Sequence, residues 1–107
     1  MSRPQKPKRV CGEPLIKKFL PDDNKGKRDL VTMSLDEYET IRLIDLEGIS
    51  REECAARMNI ARTTAQDIYN SARVKLATCI VQGKELHIEG GSVFECDGSA
   101  GCKGCSK

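Results

Sequence analysis

The sequence predicts a mainly α domain organised as a helix-turn-helix, followed by a small C-terminal β-hairpin and a Cys-rich tail. Three observations carry this expectation. Residues 34–82 contain no Pro and a single Gly, Gly48. Within them Ser34-Leu-Asp-Glu37 and Ser50-Arg-Glu-Glu53 both have the capping-box pattern that opens helices. From Gly83 onward helical spacing stops and the composition turns to Gly and Cys.

At 107 residues the chain is one domain with appended segments. We divide it into a basic arm and connecting segment (1–33), a helical domain (34–82), and a hairpin with its tail (83–107). Trp is absent and the aromatics are Phe19, Tyr38, Tyr69 and Phe94, so the core must be mostly aliphatic. The net charge of +2 hides an asymmetry: residues 1–30 carry nine Lys/Arg against four Asp/Glu, a local +5. No apolar run approaches the ~20 residues of a membrane span, and no signal-peptide pattern opens the chain. These features predict a cytoplasmic protein whose six cysteines are reduced thiols or metal ligands rather than a disulfide framework.

The arm holds Arg3, Lys6, Lys8 and Arg9 with no acid among them. It is expected to be disordered when free and to track phosphate or enter a minor groove, an ordinary solvated terminus being the competing reading. Residues 14–33 mix short apolar pieces (Leu15-Ile16, Phe19-Leu20, Leu30-Val31) with a polar loop. The first helix starts at Ser34, carries Leu35, Tyr38, Ile41 and Ile44 on one drifting face, and ends at Gly48. A second, short helix covers about residues 51–58 and is broken by Asn59, which tolerates positive φ. A third runs from about Ala61 to Ile80, with Ala65, Ile68, Tyr69, Ala72, Leu76 and Cys79 on its apolar face. Then Glu85-Leu-His-Ile-Glu89 alternates like a strand, Gly90-Gly91 offers a turn, and Ser92-Val-Phe-Glu95 is expected to return as its hairpin partner.

The bend between the second and third helices meets several requirements in one register. Ala55 is small where the helices approach, Asn59 sits at the turn, and Cys54, Met58, Ile60, Ala65 and Ile68 supply the inner face. The outer face of the third helix then offers Arg62, Thr63, Thr64, Gln66, Asp67, Asn70 and Arg73. A recognition helix places such a face in the major groove. Arg62 suits guanine, Gln66 or Asn70 adenine, and Thr63 a thymine methyl or a base edge. Ser50 and Arg51, at the start of the second helix, are expected over phosphate. Asp67 fits this face least well. The competing reading is the solvated side of an ordinary three-helix bundle.

Ile49-Ser-Arg-Glu-Glu-Cys-Ala-Ala-Arg-Met-Asn-Ile-Ala-Arg-Thr-Thr64, within the span Leu35 to Leu76, resembles the fourth region of sigma-70 factors, a promoter-reading module. Nearly the whole chain resembles domain-of-unknown-function family 134, a set of small prokaryotic proteins predicted to bind DNA. That likeness lies in Arg9-Val-Cys, Asp36-Glu-Tyr-Glu-Thr-Ile-Arg-Leu-Ile-Asp-Leu-Glu-Gly48, Ala61-Arg-Thr-Thr64, Ile68-Tyr-Asn-Ser-Ala-Arg73 and Ile88-Glu-Gly-Gly91. The resemblance implies a sigma-like three-helix fold and DNA binding. Asp67 departs from the basic residue expected at its position.

Cys54 and Cys79 fall on apolar helix faces and read as small core residues. Cys96, Cys102 and Cys105 form C-x5-C-x2-C in the Gly-rich tail, and Cys102-Lys-Gly-Cys105 has the short spacing of zinc and iron–sulfur knuckles. Cys11 is the candidate fourth ligand, with His87 in reserve. Zinc is the expected metal, iron or an iron–sulfur cluster the second choice; free thiols and a redox dithiol at Cys102/Cys105 are the alternatives.

The function expected is therefore sequence-specific binding of double-stranded DNA by a transcriptional regulator with a Cys-ligated structural or sensory metal. The alternative is an interaction module that docks on a transcription-machinery partner such as RNA polymerase. No enzyme is expected, since there is one His, no phosphate-binding Gly loop, and no nucleophile beside a base. A homodimer suits two half-sites, although the sequence shows no heptad or apolar stripe beyond the core faces.

Overall fold

The computed structural model describes residues 7–22 and 29–95. Arg3, Lys6, Cys96, Cys102 and Cys105, and with them the Cys-rich tail, lie outside the described residues. Among these residues the fold is mixed α/β rather than mainly α. Three helical segments combine with five short strands: β1 (Lys8–Val10), β2 (Lys18–Phe19), β3 (Leu30–Met33), β4 (Glu85–Ile88) and β5 (Val93–Glu95).

The helices start and stop where residue chemistry requires. Ser34 caps α1 (Leu35–Thr40) through the full reciprocal box: its Oγ accepts the Glu37 N–H and the Glu37 carboxylate accepts the Ser34 N–H. α1 continues without a break into a π-helical turn, Ile41–Leu46. There the Glu47 N–H reaches back five residues to the Arg42 carbonyl at 3.0 Å. The wider turn explains the drifting apolar face: Leu43, absent from the expected set, is fully buried, whereas Ile44 is only partly so. Gly48 ends this run at φ +78°.

Ser50 caps α2 (Arg51–Met58) by accepting the Glu53 N–H, but the return half of the box is not made. The Glu53 carboxylate turns instead to Arg57, 3.2 Å away. Asn59 terminates α2 in the left-handed conformation at φ 61°. α3 (Arg62–Gln82) follows, with Ala61 at its N-cap and Gly83 at its C-cap.

The hairpin expectation is wrong. β4 is the centre of a three-stranded sheet, antiparallel to β2 and parallel to β3, while β5 pairs in parallel with β1. The diglycine between β4 and β5 is a close crossing over the start of α1 instead of a hairpin turn. The Leu35 N–H donates to the Gly90 carbonyl at 2.9 Å, and a Cβ on Gly91 (φ +99°) would stand 2.8 Å from Asp36 Oδ1 and 3.1 Å from Ser34 Cβ. Gly91→Ala therefore adds a clash to left-handed strain. It should lower stability by about 1–3 kcal/mol, read as a drop in thermal midpoint of ~4–8 °C per kcal/mol.

Two apolar clusters hold the elements together. Met33, Ala72, Leu86 and Ile88 join the sheet to α3, with Leu35, Tyr38, Ile41 and Leu76 packed around them. Leu43, Cys54 and Met58 join the π-turn to α2, flanked by Ile44, Ile49 and Ile60. Cys54 is the core residue expected, and burial pushes its thiol up to about 11. Cys79 is half-buried beside the sheet, its Sγ donating to the Glu85 carbonyl.

The basic arm is corrected too. Residues 8–10 form β1 against α1 and α2, and both cations there point into the fold. Lys8 is buried in an ion pair with Asp36 at 3.5 Å, and Arg9 donates through Nε to the Arg57 carbonyl at 2.7 Å. A strand of three residues is too short for alternation to reveal it, and its pairing partner lies more than eighty positions away.

The expectation that no apolar stripe is left over also fails. On α3, Val74 and Val81 are 65% and 80% exposed. No helix among the described residues is long and apolar enough to cross a membrane.

Candidate nucleic-acid interface

The exposed end of the α2–α3 pair is built around Tyr69. Its ring is buried at the junction of α3 with α2 and the π-turn, and its hydroxyl donates to Asp45 Oδ1 at 2.6 Å. That hydrogen bond, with burial, raises the phenol above its ordinary range. Two guanidiniums lie over the ring, those of Arg51 and Arg73, 5.0 and 5.5 Å from its centre. Stacking of this kind holds a cation without neutralising it. Neither arginine has a described acidic partner within ion-pair distance, and the Arg51 Nε makes no hydrogen bond.

The start of α3 continues this surface. Arg62, Thr63 and Thr64 are exposed, and the helix opens on Ala61 with no side-chain cap and no acid in its first turn. Its first N–H groups and the positive end of its dipole thus face outward, the arrangement that favours an anion. α2 is different. Its N-terminus is already capped by Ser50 and carries Glu52 and Glu53 in the first turn, so its backbone N–H groups are less open to an anion than those of α3. Ser50 itself is exposed.

At about 100° per residue, Arg62, Gln66, Asn70 and Arg73 share one line along α3. Gln66 Nε2 donates to Asn70 Oδ1 at 3.0 Å, which fixes the free amide edges of both. Arg62 is not idle either: its Nε lies 3.0 Å from Glu52 on α2, both side chains being about two-thirds exposed. An exposed pair of this type is worth at most ~1 kcal/mol and can be exchanged for another acceptor. Asp67 falls about a third of a turn off the line and in register with Val74 and Val81, so it stands beside this surface and not in its middle.

The structure thus lines up Arg62, Gln66, Asn70 and Arg73 on α3 with Thr63 beside them, and brings Arg51 to Arg73 over Tyr69, whereas Thr64 is exposed but turned well around the helix from that line and Ser50 stands at the start of α2. It separates Lys8 and Arg9 from them. Tyr69 as a platform and Glu52 as the partner of Arg62 were not anticipated. The Tyr69/Arg73 spacing of four was a readable signal for the first; nothing along the chain marks the second.

Behind this surface lies a network of buried polar groups. Glu37 accepts from Ser71 Oγ at 2.5 Å and from Lys75 Nζ at 2.7 Å, as well as from the Ser34 N–H. Burial alone would raise its carboxyl, but these bonds outweigh it and hold the group below its ordinary 4.5. Buried Glu39 receives Arg42 through two bonds at 3.0 and 2.8 Å and the Cys11 N–H at 3.2 Å. Arg42 also pairs with Glu47. Cys11 is disulfide-bonded, which departs from the reduced thiol or metal ligand expected there. Among the described residues no three His, Cys, Asp or Glu side chains are grouped as metal ligands, and His87 faces Glu85 at 3.3 Å on its own strand.

Residues 1–95 match the model of the family described as "Protein of unknown function DUF134". The chain belongs to the DUF134 family. Among its relatives is a UPF0251 protein of Desulfitobacterium hafniense, 56% identical over all of this chain and 88% of its own length. A UPF0251 protein of Caldicellulosiruptor saccharolyticus is 43% identical over all of this chain and 76% of its length. One from Halothermothrix orenii is 44% identical over 85% of this chain and 68% of its length. No solved structure matches. The DUF134 match covers β1 to β5, and so includes the whole α2–α3 surface.

Proposed function

We propose that this DUF134 chain is a sequence-specific DNA-binding protein acting in transcriptional regulation, with α2 and α3 as its helix-turn-helix. The observation that carries the reading is the uncapped start of α3, with no acid in its own first turn, together with two guanidiniums that stack on Tyr69 and have no acid within ion-pair distance among the described residues. Arg62, Thr63, Gln66 and Asn70 face base edges in the major groove. Thr64, Arg51 and Arg73 hold phosphate, and Ser50 lies at the rim. The resemblance of residues 49–64 to the fourth region of sigma-70 factors, a promoter-reading module, belongs to the same reading. The chain does no catalysis in this account.

A zinc clasp accompanies the reader. The β1–β5 ladder ends at Val10↔Glu95, and the next residue of each strand in the sequence is a cysteine, Cys11 and Cys96. With Cys102 and Cys105 these make a four-thiolate set of the zinc type. Thiolates ligate only when reduced, so the clasp belongs to the reduced chain and competes with the disulfide at Cys11.

The test is selection from randomised duplexes with the reduced chain, with and without zinc, followed by a salt series. Affinity for the selected site should fall steeply between ~50 and ~200 mM salt, and Arg62→Ala should cost ~1–3 kcal/mol there. An affinity untouched by salt and by Arg62→Ala would overturn the DNA reading. Binding seen only with a polymerase subunit would favour the docking alternative, for which the exposed Glu52–Arg62 pair offers mixed charge.

A further inference from the structure

We propose that Cys11 is joined to Cys96 and that their bond is a reducible latch, which fastens β1 to β5 and through β1 steadies the last turn of α2. Its purpose, regulation of the α2–α3 surface, rests on the DNA reading; its chemistry does not.

Cys11 is disulfide-bonded, while Cys54 and Cys79 are free thiols. Of the six cysteines, Cys96, Cys102 and Cys105 are therefore left as its partner. The strand ladder chooses among them. β1 and β5 run parallel and in register from Lys8↔Val93 to Val10↔Glu95. One step further along both strands the sequence places Cys11 and Cys96. Paired strands lie ~4.7–4.9 Å apart, and a disulfide bridges Cα atoms about 4.4–6.8 Å apart. Continuing the ladder by one rung thus meets the requirement of the bond. A bond to Cys102 or Cys105 would need the Gly-rich chain after Cys96 to turn back on itself.

What the bond fastens is a strap across two helices, since β1 packs on both α1 and α2. The Cys11 N–H donates to the buried carboxylate of Glu39 on α1 at 3.2 Å, and Arg9 Nε donates to the Arg57 carbonyl on α2 at 2.7 Å. Glu39 holds Arg42, Arg42 pairs with Glu47, and Glu47 lies 3.7 Å from Arg57. Arg9 directly, and Cys11 through this chain, converge on Arg57, in the last turn of α2 before the left-handed Asn59 that leads into α3. A two-stranded ladder of three rungs is marginal by itself, so a covalent link at its end decides how firmly the strap is held. Opening the link takes two electrons and two protons from a dithiol reductant. One reductant thiolate attacks the disulfide to give a mixed disulfide, and the second displaces it. Cys11 and Cys96 are left as thiols and the reductant as its own disulfide; a disulfide oxidant runs the exchange backwards. Zinc needs both thiolates, so only the opened latch takes it up.

Digestion of the full oxidised chain with trypsin and Asp-N without reductant, read by mass spectrometry, should release residues 10–17 joined to residues 85–96. Cys11 found as a thiol, or linked to residues 97–107, would overturn the proposal. With a metal chelator present, dithiothreitol should lower the thermal midpoint by about 10–20 °C. Amide exchange in β1 and the last turn of α2 should rise more than in β4. Cys11→Ser and Cys96→Ser should melt like the reduced chain and no longer respond to dithiothreitol, whereas Cys102→Ser and Cys105→Ser should keep the response. An unchanged midpoint, or an equal rise of exchange in β4, would overturn the latch. On the selected duplex the oxidised chain should bind at least about 5-fold more tightly than the reduced, zinc-free chain. Equal affinity in the two states would overturn the regulatory role. No duplex bound in either state would overturn the DNA reading and leave the mapped link and its melting shift standing.

Discussion

Glu37→Ala should cost about 3 kcal/mol of stability at neutral pH, with a fall in thermal midpoint above 10 °C. The carboxylate is 9% exposed and ties three places together: the N-cap at Ser34, Ser71 in the middle of α3, and Lys75 one turn later. Removing it strands the Lys75 ammonium, which is two-thirds buried, and leaves the Ser34 N–H without its return bond. Hydrogen bonds to charged groups contribute ~1.5–3 kcal/mol each, and their losses overlap. The same group makes stability depend on acid. Its folded pKa lies below 4.5, so the folded state binds this proton less readily than the unfolded chain. The contribution is therefore complete above about pH 5 and is lost as pH falls through the folded value. Denaturant titrations at pH 7, 5 and 3 should show the gap between wild type and Glu37→Ala closing only at the lowest pH. A gap of constant size would mean that Glu37 acts by packing alone.

Leu43→Ala should be the most damaging apolar truncation, at about 2–5 kcal/mol. Leu43 is fully buried in the cluster with Cys54 and Met58, both also fully buried. The cavity would open beneath the joint between the π-turn and α2, so α2 should loosen relative to α3. Hydrogen exchange is the sharper readout: amides of α2 should lose more protection than those of β4. Equal losses throughout would show that the two clusters unfold as one.

The helices were legible because their signals are local. Ser34, Gly48, Ser50 and Asn59 each act within a few residues of their own position, and each stands where its chemistry placed it. The π-turn was not legible, since an extra residue per turn changes which apolar side chain faces inward without changing composition. The strands failed for another reason. Phe19-Leu20 and Leu30-Val31 were visible as apolar pieces, but two to four residues cannot show a period, and their partner β4 is brought to them by the helices. Gly90-Gly91 misled because a diglycine serves a tight turn and a close crossing equally well. At the candidate interface the polar face of α3 could be read from spacing. The stacking of Arg51 on Tyr69 and the Glu52–Arg62 pair depend on how α2 crosses α3.

The parallel pairing of β3 with β4 has a consequence for how the chain acquires its shape. Its first rung joins Leu30 to Glu85, fifty-five positions apart (85 − 30), and every helix lies between them. Closing so long a loop before anything inside it is ordered is entropically costly, whereas α1, α2 and α3 can each form from contacts near in sequence. Contact separation thereby favours an order in which the helices collapse first on Leu43 and Met58 and the sheet closes last. A nascent chain would carry its α2–α3 surface nearly complete while β3 still waits, its edge uncovered, for residues 85–88 to emerge.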